Sequence, residues 1–432
     1  MANSLNTNVT EKLIRSFIPA FESERKVSRL ISTNAQNLVN GFDETTGGEF
    51  GAVRMKRPPQ FKPHRTPDGD MTGLDANPVA VGTVPAEVGD YCTVYIEMTD
   101  VERALESADV DLAMNELVQP AAEDMCNTIE SELVERMMLA AQGTSGNPDN
   151  AISDWEDVAA AGTRLKSIGL PAGNKYCVIN PFDGLALAGD QRGLAVNPEV
   201  GEANQAATIA NSYAGFTSVM TQDNMPSFVS GNQLTGLTVG VAPTQTYAAN
   251  KDSYRQTIVL AGGTSGNTLK AGQTVVIEGV NMVHLRNHNK VRGQGGAFIP
   301  LTLTVLEDAT FDAGGNASVV FSGCGIYESG INGAYNTIDA AITVGAAVTV
   351  LESSADADYS PGLAFHENFF AMGSIKLPTF NSTDTSFTTK DGLNIRVARD
   401  ADTRGNSHQL RIDFRPTFAC LNPFFGEKVY GL

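Results

Sequence analysis

The residue types that could carry chemistry are present in this chain, but their spacing argues against it. Five histidines are available, and two of them, His284 and His288, stand four apart. They lie in a polar stretch beside Arg286 and Lys290 and read as a solvated loop rather than a metal pair. DGDMTGLD sets Asp68, Asp70, Thr72 and Gly73 at positions one, three, five and six of a calcium loop. Position twelve is Val79 where a bidentate Glu belongs, and no helix pattern flanks the run, so it reads as a polar loop tip. VRGQGGAF, from Val291 to Phe298, holds glycines but follows no strand-to-helix crossover, which leaves no phosphate cradle. Asp356 and Asp358 in ESSADADYS read as a domain boundary. The chain has no G-x-S-x-G, P-loop or H-E-x-x-H, and carboxylates without a second catalytic group are surface. The expectation is a protein with no catalytic, metal or cofactor residues.

Cysteine and charge narrow the class further. Cys92, Cys126, Cys177, Cys324 and Cys420 are scattered singly with no C-x-x-C, which reads as free thiols in a reducing cytosol. No apolar run reaches the roughly 18 residues of a spanning helix, and no apolar leader follows Met1, so the expectation is a soluble chain that stays where it is made. A net charge of −19 argues against a basic surface that wraps nucleic acid. The excess is local. Asp100 to Asp157 holds fifteen acidic residues against Arg103 and Arg136, a net of −13. Just upstream, Arg54, Lys56, Arg57, Lys62 and Arg65 carry no acid among them. Segments of opposite sign can neutralise one another within a subunit or between copies.

The elements that would position these charges follow from periodicity. Val9 to Ile31 repeats Leu13, Phe17 and Phe21 at i+4, an amphipathic arm that docks on its own subunit or on a partner. A Gly/Pro-rich stretch from Gly41 to Gly89 holds one strand signal, Gly51 to Met55, answered by Asp90 to Asp100, which predicts a long protruding loop. Asp109 to Gly143 is the longest helix pattern, a rod of roughly 45 to 50 Å at 1.5 Å per residue, kinked by Pro120. Asp154 to Pro181 reads as helix, glycine stop, turn and buried strand, and PFDGLALAGDQRG as a further short helix. From about Ser227 to Leu351 the texture changes to short β runs, GLTVGVA, RQTIVLAG, QTVVIEGV, FIPLTLTVL, ASVVFSG and AAVTVL. Runs so spaced predict an inserted antiparallel barrel or sandwich. The earlier style returns with LAFHENFFAMGSIKLPT. The chain closes on a hairpin in which Leu393, Ile395 and Val397 answer Leu410, Ile412 and Phe414.

This order of elements, with QPAAEDM, AGQTVVIEGV and Leu363 to Pro378 as local matches, resembles the major capsid proteins of P22-like tailed bacteriophages over essentially the whole chain. The resemblance implies an α+β, HK97-like capsid fold with an inserted small antiparallel β-barrel, the I-domain. Under it, residues 1–40 are an N-terminal arm, 41–99 an E-loop, and 100–150 the spine helix and peripheral domain. Residues 151–226 and 352–385 form an axial domain, 227–351 the I-domain, and 386–432 the peripheral hairpin and C-terminus. The implied partners are copies of the chain in hexameric and pentameric capsomers, a scaffolding protein, a portal protein and a decoration protein. Packaged DNA is touched only loosely and a membrane not at all. The implied setting is a virion capsid of T=7 lattice, assembled in the host bacterial cytoplasm. Candidate contacts between subunits are Arg54, Lys56, Arg57, Lys62 and Arg65 against Glu123, Asp124, Glu130 and Glu132, with Arg286, Lys290 and Arg292 as a second basic set. An encapsulin-like compartment shares the fold without needing so large a β insertion. A hydrolase with a β appendage requires a base and nucleophile pair, and a tail protein requires repeats; neither feature occurs in the sequence.

Overall fold

The computed structural model describes residues 17–32, 53–56, 60–77, 79–99, 119–190, 209, 212–380, 385–402 and 407–432. The chain divides into two compact units. One draws on Met1–Met55, Pro85–Val134 and Phe370–Ala419, the other on Lys56–Val84, Glu135–Phe369 and Cys420–Leu432. Both mix helix and strand, an α+β class.

In the second unit the six apolar runs become β8 (Leu237–Val241), β9 (Arg255–Ala261), β11 (Thr274–Asn281), β12 (Pro300–Val305), β14 (Ala317–Ser322) and β15 (Ala347–Val350). They close into a barrel in the order β11-β12-β14-β9-β8-β15, every pair antiparallel. Alternation dictates the closure. Leu237, Ile258, Leu260, Val275, Ile277, Leu301, Leu303, Val319 and Phe321 all point into one buried core. Two small ladders flank the barrel: β10 (Thr268–Leu269) with β13 (Ala309–Thr310), and β7 (Phe228–Val229) with β16 (Asp358–Tyr359). The second of these joins the segments on either side of the insertion.

The same unit holds a five-stranded sheet ordered β4 (Gly143–Ser145), β23 (Gly426–Val429), β17 (Gly362–His366), β5 (Lys175–Ile179) and β6 (Ser218–Thr221). These strands come from five distant parts of the chain. Helix α2 (Trp155–Ile168) packs Val158, Ala161 and Leu165 against Cys177, Ile179 and Val219. It ends at Gly169, whose φ of 93° is open to glycine at little cost. Helix α3 (Pro181–Asp190) follows β5, as the sequence predicts.

The first unit contains two four-stranded sheets, β1 (Val53–Lys56), β2 (Thr83–Val88), β22 (Pro416–Cys420), β18 (Phe370–Ser374), and β19 (Thr385–Thr388), β20 (Asn394–Asp402), β21 (Ser407–Phe414), β3 (Cys92–Thr99). The closing hairpin forms in the expected register, Ile395 opposite Phe414 and Val397 opposite Ile412. Three expectations need correction. The strand signals at Gly51–Met55 and Asp90–Asp100 do not answer each other; β1 lies beside β2, which the sequence reading passed over, while β3 pairs with β21. Residues 352–385 do not stay together, because β17 joins the five-stranded sheet whereas the chain from Phe370 belongs to the first unit. Residues 386–432 divide as well: β23 inserts between β17 and β4 in the second unit. Helix α1 (Gln119–Ala140) is the described part of the long rod. The residues before Gln119 that would define a kink at Pro120 lie outside the described residues, as do residues 9–16 of the arm.

Candidate assembly site

The N-terminal segment shows how one candidate charge is used. Phe17 and Phe21 stack at 5.9 Å on a helical stretch, 17–24, and Phe21 packs against Phe414. Beyond them, a single turn at Val27–Arg29 aims its backbone N–H groups at Glu130 of α1. Val27 donates to the carboxylate at 2.8 Å and Ser28 at 3.1 Å. Arg25, also buried, pairs with Asp391 at 2.7 Å. Glu130 is thus an internal receptor for the chain's own arm, and the expectation that it faces another subunit is corrected. Its neighbours differ: Asp124 is exposed, Glu132 is half-buried, and Glu123 is half-buried and accepts a hydrogen bond from Gln119 at 2.9 Å.

The basic stretch is likewise partly engaged at home. Arg54 and Lys56 lie on β1, and Arg57 falls outside the described residues. Lys62, an exposed residue, donates to the Gly330 carbonyl at 3.2 Å. Arg65 is exposed. The two limbs of the loop meet at Tyr335, whose hydroxyl accepts from Gln60 N at 3.2 Å and donates to Ala80 O at 3.1 Å. Tyr335 in turn stacks on Tyr247, ring centroids 3.7 Å apart. At the tip, Asp68 and Asp70 accept hydrogen bonds from Asp70 N and from Thr72, so the calcium-like run is an ordinary polar turn. In the second basic set, Lys290 pairs with Asp339 at 2.7 Å, and Lys290 and Arg292 lie over the Phe298 ring at 5.2 and 5.0 Å. Arg286 is exposed.

No local pattern in the sequence announces the polar network where the barrel meets the five-stranded sheet. Thr302, Thr304 and Ser322 point outward from the barrel yet are buried, because they cover the end of α1. Ser322 donates to the Ala140 carbonyl and Thr304 to Ala141, both at 2.6 Å, and Gln142 donates to Thr302 O at 3.0 Å. Barrel hydroxyls thereby satisfy carbonyls at the helix end that would otherwise lack partners. Beside them Lys428 of β23, fully buried, donates to Gly272 O and to Thr274 Oγ1. Glu352 accepts from Thr274 N at 3.0 Å. Burial pushes the Lys428 ammonium down to about 8, against the attraction of Glu352. Glu427 faces the other way, with Arg164 Nη1 3.5 Å from Oε1 and no hydrogen bond to either oxygen. Burial pushes its carboxyl up to about 8, with Arg164 opposing. A short run such as GEKV reads as surface in a sequence. Only strand order reveals that it is the interior of a sheet.

Comparison with known proteins gives these surfaces a context. A family model described as P22 coat protein, gene protein 5, matches residues 1–431. A major capsid protein of Acyrthosiphon pisum secondary endosymbiont phage 1 is 32% identical over 434 residues, covering 100% of both chains. Among solved structures, one from Mycobacterium phage Che8 aligns with a TM-score of 0.46 at 9% identity, covering 93% of this chain and 90% of that one. The capsid of Ralstonia phage GP4 aligns with a TM-score of 0.40 at 9% identity over 94% and 90%. The class is therefore a structural capsid protein rather than an enzyme. Within that class, the chain belongs to the P22 coat protein family.

Proposed function

We propose that this chain is the repeating subunit of an icosahedral shell around the double-stranded DNA of a tailed bacteriophage. The carrying observation is the family match along residues 1–431. A closed barrel at the position of the inserted domain supports the finer reading. In that reading the architecture is HK97-like and residues 227–351 are the I-domain. Residues 151–226 and 352–369 line the capsomer axis, and the first unit supplies the periphery. Hexameric and pentameric capsomers assemble on a scaffolding protein around a portal, in a T=7 lattice and in the host cytoplasm, with a decoration protein as an outer addition. The exposed charges that remain, Arg65, Asp124 and Arg286 among them, are contacts between subunits, each weak and repeated throughout the lattice. An acid-rich wall suits a container that must release its DNA.

The test is assembly from purified components. The chain, mixed with its scaffolding protein and imaged by electron microscopy, is expected to give closed shells of uniform size. Monomers or irregular aggregates alone, from folded protein under conditions of varied salt, would overturn the reading.

A further inference from the structure

Among the described residues, the loop between Gln60 and Gly82 belongs to none of the sheets, yet it is pinned from tip to base. At the tip, Asp70 N donates to Asp68, Thr72 donates to Asp70, and Leu74 N closes on Met71 O at 3.1 Å. Midway, Lys62 N donates to Asn77 Oδ1 at 2.8 Å and His64 Nε2 to Asp75 O at 2.9 Å, which ties one limb to the other. These bonds keep the loop's shape but give it no direction. Direction comes from the base, where the partners lie in the inserted segment.

Two excursions from the barrel meet at that base. One, between β8 and β9, carries a helical turn at Tyr247–Asn250, and the other, between β14 and β15, a 3-10 turn at Gly330–Tyr335. Tyr247 and Tyr335 stack across them, and Ala80 of the loop packs against the apolar cluster that they share with Tyr254, Cys324 and Ile326. The Tyr335 hydroxyl holds both limbs, at Gln60 N and at Ala80 O. Asp252 Oδ1 accepts from Thr83 N at 3.1 Å and from Thr83 Oγ1 at 2.8 Å. Between these grips, Gly82 lies so close to the insert that a Cβ there would stand 2.5 Å from the Lys251 carbonyl oxygen. Its φ is outside the left-handed region, so close packing, not backbone angle, demands the glycine.

Neither excursion contributes a strand to the closed barrel. What they grip is mostly backbone: Gln60 N, Ala80 O, Thr83 N and the bare Cα of Gly82. Side chains beside the gripped positions are left outside. Phe61 and Val79 are exposed, and so are Met71 and Leu74 towards the tip. A loop held by its backbone, with large apolar side chains turned to solvent, has lost its freedom before any partner arrives.

We propose that the inserted barrel has a second function, as the bracket that sets the protruding loop in its pose before a second copy of the chain meets it. The inference rests on the coat-protein reading, under which the loop touches a neighbouring copy; the bracket itself is a property of the single chain. Without it the loop would have to be ordered at every contact, a cost repeated in each subunit of the shell.

The test compares the free subunit with assembly, in the full chain. Gly82→Ala drives a methyl group against the Lys251 carbonyl. Trypsin should then cut the free subunit at Lys62 and Arg65 about tenfold faster, since cleavage follows the population of the opened loop. Shells should form with scaffolding protein about fivefold more slowly, because the loop is ordered only on contact. Circular dichroism and exchange protection in β9 and β14 should not change. Thr83→Val, which keeps the volume but loses the hydroxyl donor, should move cleavage and assembly the same way by less. Wild-type cleavage rates in both variants would mean that the loop keeps its pose without the insert, and would overturn the bracket. So would loss of β9 and β14 protection in Thr83→Val, because loop and barrel would then be one cooperative core. If the loop opens in both variants but shells form at the wild-type rate, the pre-set pose plays no part in assembly and the second function is wrong. A wild type that forms no shell would overturn the coat reading, while the cleavage rates would still decide whether the bracket exists.

Discussion

The barrel and the five-stranded sheet sit in the same unit and hold themselves together in opposite ways. The barrel takes its six strands from one continuous stretch, Leu237 to Val350, and lines its centre mainly with aliphatic and phenyl groups, with Gln256 buried on the same face of β9 and bonded within the stretch to Thr244 O and Gly325 N. The sheet collects strands from Gly143 to Val429 and has Glu427, Lys428 and His366 in its buried strands. A core of apolar groups from nearby sequence needs no outside partner. A core of charges gathered from afar depends on each partner being in place, because a buried ion left unpaired costs far more than a lost contact. The first arrangement suits an autonomous module, and the second suits a frame that forms only when the whole chain is present.

The comparison can be broken most decisively by separating the two. Residues 227–351 expressed alone are expected to fold, with dispersed amide resonances, and Phe321→Ala within that fragment should remove about 4 kcal/mol, enough to unfold it. A random-coil spectrum for the unmutated fragment would end the idea of autonomy. Next in size, Lys428→Ala in the whole chain removes the cation that offsets the buried Glu352 charge and leaves Gly272 O and Thr274 Oγ1 without their donor, and should cost about 3 kcal/mol in urea unfolding. Its effect should fall on the sheet, with exchange protection in β9 and β14 retained; equal loss in both regions would merge the two into one cooperative block.

A third outcome concerns pH. Glu427 has a folded value raised to about 8, so between its unfolded value near 4.5 and about 8 the native state holds a proton that the unfolded state has released. Its contribution to stability therefore falls across that window as pH rises. Lys428 is lowered to about 8 from 10.5, so above about 8 the unfolded state holds the extra proton and stability rises again. Together they predict a minimum in the sheet's stability near pH 8. Glu427→Gln should flatten the acid side of that trough, and an unchanged profile would remove Glu427 from the account. The smallest effect is at the loop. Tyr335→Phe loses the hydrogen bonds to Gln60 and Ala80 and should cost about 1 kcal/mol, read as faster exchange of the Gln60 amide with barrel amides unaffected.

Legibility in the sequence followed the same division. Each of the six apolar runs became a barrel strand, because alternation within a run and turn residues between runs are local signals. Gly169 stopped α2 and the closing hairpin kept its register for the same reason. By contrast, β2 was missed because TVPAEV contains Pro85, which weakens any strand pattern. Glu130 looked like one more surface acid on a charged helix. Its partners, Val27 and Ser28, stand about a hundred residues away and present backbone groups that no side-chain pattern records. Lys428 was overlooked likewise, since a lysine's burial is decided by which distant strand lies beside it.

Where the chain enters and leaves the barrel, β8 and β15 are paired neighbours, and just outside them β7 meets β16. Such a doorway makes the insert easy to exchange between genomes, since a recombination on either side need reseal only adjacent strands. Inheritance is nonetheless conditional. The hydroxyls of Thr304 and Ser322 finish a helix of the host, and Gly272 and Thr274 hold its Lys428. A foreign barrel that folds perfectly but lacks the three hydroxyls would leave the host with open carbonyls and a less well-held ammonium. A grafted barrel is therefore expected to support the host only when it brings hydroxyls equivalent to those of Thr274, Thr304 and Ser322.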